Sequence, residues 1–165
     1  MKSNAIGSWR RHTLAWLHIW WPVIFCGLVI ARESTPAFSG AHTSRLLRPL
    51  LTYLFGPIAD ASWEHFHLIL RKSGHFTWYG FTGLAFLRAW RMQWRGHLFG
   101  KKLVRRASWM AICCTMLMAS MDELHQSYLS ERTGLVSDVL LDTAGAITMI
   151  MLVWFVSAVR SRRPA

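Results

Sequence analysis

Apolar residues fall into four runs along the chain, and charge collects between them. The runs cover about residues 14–31 (LAWLHIWWPVIFCGLVIA), 73–90 (SGHFTWYGFTGLAFLRAW), 107–124 (ASWMAICCTMLMASMDEL) and 139–158 (VLLDTAGAITMIMLVWFVSA). A membrane-spanning helix needs roughly 20 residues, within a range of about 17–25. The second and third runs are short and partly polar, and either alone would also suit a buried helix of a soluble protein. The first and fourth are stronger. Together the four predict an all-α fold, a four-span transmembrane bundle made by a single domain over residues 1–165.

The segments between the runs complete this plan: a tail, a long outer loop (32–72), a basic inner loop (91–106), a short outer loop and a second tail. Within the long loop, SRLLRPLLTYLF (44–55) is apolar with arginines toward one end, and Gly56-Pro57 stops it. It predicts a helix that lies in the membrane interface or packs over the bundle. In DASWEHFHLILRKSGHF (60–76), Asp60 or Ser62 can cap a new helix, with Glu64 near its positive end. That helix runs on into the second span, with Gly74 as a bend. His65 and His67 face different sides of such a helix, so with Glu64 they read as interfacial polar residues and not as metal ligands.

The placement of charge changes what the composition means. The net charge of +11 first suggests nucleic acid. Yet the basic residues split by side. Lys2, Arg10 and Arg11 precede the first span. Arg88, Arg91, Arg95, Lys101, Lys102, Arg105 and Arg106 cluster between the second and third, and Arg160, Arg162 and Arg163 follow the fourth. No acid lies among them. The remaining Arg32, Arg45, Arg48, Arg71, Lys72 and Arg132 share the opposite side with every Asp and Glu. This is the pattern of a multi-pass cell-membrane protein with both termini cytoplasmic. Its basic groups face anionic lipid heads, and membrane lipids, not nucleic acid, are the expected partners. A hydrophobic fraction of 53%, only 16% charged residues and ten Trp fit the same reading. The first run also resembles a signal peptide. Its length, and the distance to the small residues Ser39-Gly40-Ala41, favour an uncleaved anchor. Cys26, Cys113 and Cys114 all lie in spans and read as small packing residues.

Against this background the ionisable groups beside the last two spans stand out. Lys72, His75 and Tyr79 are three and four apart, hence on one stripe of the second span. Glu123 and Gln126 form a stripe where the third span ends, with Asp122 and His125 on a neighbouring one. Asp138 opens the fourth span, and Asp142 lies about 6 Å deeper at ~1.5 Å per residue. Arg132 sits in the short connecting loop. Three helices thus present polar stripes from one membrane side, where they can satisfy one another. A centrally placed charged side chain costs ~2.5–3.5 kcal/mol even on lenient insertion scales, so such groups point to function by default. The competing reading is a clamp that merely holds the helices together. His75, His125 and Glu123 come from two helices without dedicated spacing, so neither a metal site nor any cofactor is expected.

RKSGHFTWYGFTGLAFL (71–87) and MDELHQSYLSERTGLVSDVLLDTAGA (121–146) resemble the VanZ-like family, small membrane proteins first associated with resistance to the glycopeptide teicoplanin. The residues that carry the resemblance are Lys72, His75, Phe76 and Tyr79, then Glu123 and Gln126, then Arg132 and Gly134, then Asp138 and Gly145. The chain departs from the family pattern at Trp78, where a carboxylate is common, and at Asp142, where Asn is common. The resemblance implies a multi-pass membrane protein without an established reaction.

Two functional classes follow. One is an enzyme acting on a lipid-linked or cell-wall substrate at the outer leaflet. Lys72 and Arg132 would bind an anionic group, His75 or Glu123 would act as general acid or base, and Tyr79 and Gln126 would orient the substrate. Asp138 and Asp142 complete the binding set. The other is a non-catalytic envelope factor whose cluster holds a head group or an antibiotic, or only the helices. Proton or ion movement fits less well, because the inner halves of the spans offer few polar groups.

Overall fold

The computed structural model describes residues 2–35, 40–129 and 134–161. All regular structure among them is helical, in agreement with the expected class. The elements are α1 (Lys2–Glu33), α2 (Gly40–Phe55), α3 (Asp60–Trp94), α4 (Gly100–Ser127) and α5 (Val136–Arg160). Among the described residues, two stretches are long and apolar enough to cross a membrane by length and composition, His12–Glu33 and Val136–Arg160.

Several boundaries differ from expectation. The connection at 91–106 is mostly helix, since α3 continues to Trp94 and α4 starts at Gly100. Its basic residues therefore sit mainly on helix ends. The segment 32–72 is also largely helical. α2 ends where Gly56 takes a left-handed φ of 89° ahead of Pro57, a conformation that suits glycine. α3 passes through Gly74 without interruption. Neither Asp60 nor Ser62 caps it: Ala59 holds the cap position and no side chain bonds there. Asp60 instead pairs with Arg48 of α2.

α3 is the central helix. It packs against α5, α4, α1 and the start of the chain's second helix, α2, whereas α1, among the described residues, has an extensive contact only with α3. The α3–α5 approach is backbone to backbone. A Cβ on Gly145 would lie 2.1 Å from the Phe76 carbonyl oxygen. Small residues at a crossing permit this closeness, and close packing is what holds membrane helices together.

The two ends of the bundle are built differently. At one end Trp20 meets Trp90 edge-on at 5.3 Å, and Trp94 lies 4.8 Å from Trp90. Buried Ala89, Ala107 and Ala111 make room for these rings. At the other end the buried groups are polar: Tyr79, Asp122, Glu123, Gln126 and Asp142. α4 shows the arrangement in one helix. Leu117, Met121 and Leu124 are each more than half exposed, while Asp122, Glu123 and Gln126 on the same turns are buried. Polar groups inside and large apolar groups outside reverse the order of a soluble domain.

One contact joins α1 to the rest near Pro22. Proline has no N–H, so it cannot donate to the His18 carbonyl one turn back. Arg88 of α3 does so instead, donating to the carbonyls of His18 at 3.2 Å and Ile19 at 2.8 Å. Arg88 is thus committed to a helix contact and does not belong with the basic cluster in which its position in the sequence places it.

Candidate functional site

The polar end contains a cavity of about 180 Å³ between α3, α4 and α5, with Gly40 of α2 at its edge. Arg71, Lys72 and His75 line it from α3, Glu123 and Gln126 from α4, and Asp138 from α5. Helical spacing sets this convergence: residues three and four apart share a face. Lys72 Nζ donates to Asp138 Oδ1 at 2.7 Å, an ion pair left 41% and 25% exposed. Glu123 does not bond Gln126, although both lie on one stripe. Its Oε2 accepts the Leu135 backbone N–H at 2.9 Å, at the residue that precedes α5. The chain there crosses the end of α4 so closely that a Cβ on Gly134 would lie 2.2 Å from the Glu123 carbonyl oxygen.

Gln126 turns instead to Asp122. That carboxylate accepts from Gln126 Nε2 and from the Tyr79 hydroxyl, each at 3.0 Å, and from Ser34 Oγ at the end of α1. Asp122 and Ser34 are absent from the residues expected at the site. Asp122 stands four positions before Gln126, a spacing that offered a signal. Ser34, which lies 88 positions away, offered none.

Asp142 lies deepest. It is fully buried, with His75 Nδ1 3.6 Å from its Oδ2, and neither oxygen has a hydrogen-bond partner among the described residues. His75 also stacks on Tyr79, with centroids 6.3 Å apart. Lys72 faces Asp138, not Asp142. Arg132 lies outside the described residues. His125 is exposed and borders a separate groove of about 690 Å³ between α1 and α4, lined mainly by apolar residues such as Ile30, Leu117 and Met121 and reaching Asp122.

The residues before the second apolar run have a packing role. His67 Nε2 lies 3.0 Å from Thr43 Oγ1, and its ring stacks on Trp63 at 5.3 Å. Trp63 Nε1 donates to Ser44 Oγ at 2.7 Å. Burial holds His67 below the ordinary imidazole value, and the neighbouring Arg71 guanidinium adds to that shift. His67 is therefore a joint between α2 and α3 and not simply an interfacial polar residue.

Chemically, the cavity sets Arg71 and the Lys72–Asp138 ion pair at its rim, over His75 and Glu123 with Asp142 beneath. Such a site can attract an anion and hold groups able to exchange protons next to it. A family model described as VanZ/LLP1 matches residues 13–157. No curated protein and no solved structure matches the chain.

Proposed function

Because that match takes in most of its length, the chain belongs to the VanZ/LLP1 family, and from this premise we propose a four-span membrane protein that binds, and chemically alters, an anionic group of a lipid-linked or cell-envelope component at the outer leaflet. The single observation behind the reading is the cavity that Arg71, Lys72, His75, Glu123, Gln126 and Asp138 line together.

Several features support the four spans. α3 and α4 have 35 and 28 residues. At ~1.5 Å per residue, each exceeds the roughly 30 Å of a bilayer core. The excess of α3 leaves its first turns, with α2 docked on them, beyond the hydrocarbon. The outward-facing Leu117, Met121 and Leu124 of α4 suit lipid. Arg91, Arg95, Lys101, Lys102, Arg105 and Arg106 at the aromatic end favour a cytoplasmic location for that end, and hence for both termini. The cavity then faces outward. Arg71 and Lys72 suit a phosphate-bearing head group, and the apolar groove beside Asp122 suits an acyl chain. A part in glycopeptide susceptibility is compatible with this reading and belongs to the proposal.

The test compares envelope lipids and cell-wall precursors from cells with wild-type protein, Glu123→Gln, or no protein, at matched protein level. A covalent species that depends on the wild type and disappears in Glu123→Gln is the expected result. Unchanged lipid and precursor profiles with unchanged drug susceptibility would reduce the cluster to a clamp.

A further inference from the structure

We propose that His75, Glu123 and Asp142 together bind one divalent metal ion of the zinc class at the floor of the cavity. Among the described residues they form one three-member group whose ligand atoms lie within 4.8 Å of one another. They come from three different helices, so their convergence belongs to the tertiary fold and not to a local sequence spacing.

The second observation is independent of that grouping. Asp142 is fully buried, yet neither of its oxygens has a hydrogen-bond partner among the described residues. A buried carboxylate without a partner is costly, most of all inside a bilayer. Among the described residues, the neighbouring acids Asp122 and Asp138 have donors of their own. Asp122 accepts from three donors. Asp138 takes Lys72. His75 Nδ1, at 3.6 Å, stands beyond hydrogen-bond reach of Asp142. A cation between these groups would bind directly to a carboxylate that His75 otherwise meets only at ion-pair distance.

The donor set indicates which cation. Imidazole nitrogen and carboxylate oxygen are both zinc ligands, and three protein ligands leave a further position open for water or substrate, which is the number that one imidazole and two carboxylates supply. An all-oxygen set would favour magnesium or calcium, and thiolates would favour softer ions. At ligand distances of about 2.0–2.2 Å, tetrahedral ligands lie roughly 3.4 Å apart. His75 and Asp142 are already separated by 3.6 Å. Glu123 lies within 4.8 Å of both, so it needs to close by no more than about 1.4 Å. Its other oxygen can keep the Leu135 N–H, a supporting bond of the kind that orients metal ligands. His75 and Glu123 line the cavity, so the open position faces its interior. The sequence expectation of no metal is revised accordingly: Asp142, and not the exposed His125, is the third member.

The experiment is metal analysis of the full chain, purified in detergent from zinc-supplemented cells, with no lipid substrate added. About one zinc per chain is expected in the wild type and in His125→Gln, and background in His75→Gln and Asp142→Asn. Stripped wild-type protein is then titrated with Zn²⁺ and with Co²⁺. A rise in melting temperature with Zn²⁺ and visible Co²⁺ bands typical of four-coordination are expected, and they keep the test decisive should the variants not fold. Background zinc in the wild type without a response to titration, or equal zinc in wild type and folded Asp142→Asn, would overturn the site. The inference needs only this geometry, so metal content can support it even if envelope chemistry proves unchanged.

Discussion

The two ends of the bundle solve the same packing problem with different chemistry. At the aromatic end Trp20, Trp90 and Trp94 fill the space that Ala89, Ala107 and Ala111 leave open. Contacts there are numerous and individually weak, and one of them can be altered without stranding another. At the polar end each group depends on a particular partner. Tyr79, Gln126 and Ser34 converge on Asp122, Lys72 meets Asp138, and Leu135 N–H meets Glu123. Removing one group there leaves its partner buried and unsatisfied, which costs more than the bond itself contributes. The aromatic end therefore tolerates changes of shape, while the polar end demands particular atoms.

The strongest way to break this contrast is at the seam that supports the polar end. Gly145→Val places a side chain where even a Cβ would lie 2.1 Å from the Phe76 carbonyl oxygen. The α3 and α5 backbones must separate. A cost at or above the ~1–3 kcal/mol usual for overpacking is expected, read as loss of membrane-inserted protein and of a folded elution peak. Normal accumulation would mean that the helices do not meet there.

Asp122→Ala ranks next. It strands Tyr79, Gln126 and Ser34, and at ~1–3 kcal/mol for each unsatisfied group, reduced where water enters, a loss of about 3 kcal/mol is expected in detergent unfolding. Asp122→Asn, which keeps acceptor capacity on one oxygen, should lose less. Equal losses in the two variants would show that charge, and not hydrogen bonding, dominates at Asp122. The smallest effect should come from the opposite end. Trp90 Nε1 is buried without a partner among the described residues. Trp90→Phe removes that donor along with some ring contact, so stability should change by under ~1 kcal/mol in either direction. A loss as large as that of Asp122→Ala would erase the distinction between the ends.

What was legible in the sequence follows from local geometry. The helical class and the stripe Lys72–His75–Tyr79 depend on spacing within one segment, and spacing is a local property. Which side of α4 faces inward is not local. The rotation of that helix decides which of Asp122 and Glu123 meets Tyr79 and Gln126, and its packing on α3 and α5 sets the rotation. Asp122 was therefore placed on a neighbouring stripe when it is the hub. Ser34 gives no signal, and Arg88 falls with the inner-loop basic residues, for a related reason. Each acts on another helix, across 88 and about 70 positions, and neither carries a motif. Asp60 looked like a helix cap by residue type, but Arg48 of α2 claims its side chain. Gly134 and Gly145 could be noted in the sequence, but only the crossing backbones give the reason for them.

Arg88 and Pro22 together carry a consequence for biogenesis. In the proposed bundle, α1 is made and presented to the bilayer well before α3 leaves the ribosome. Until then the His18 carbonyl has no donor, because Pro22 withholds the one its own helix would supply. Where water is absent, such a gap costs several kcal/mol. Arg88 is an equally poor entrant when alone, since its guanidinium is unwelcome in hydrocarbon. Each helix thus supplies what the other lacks on entry, so the first span reaches its resting state only with the second.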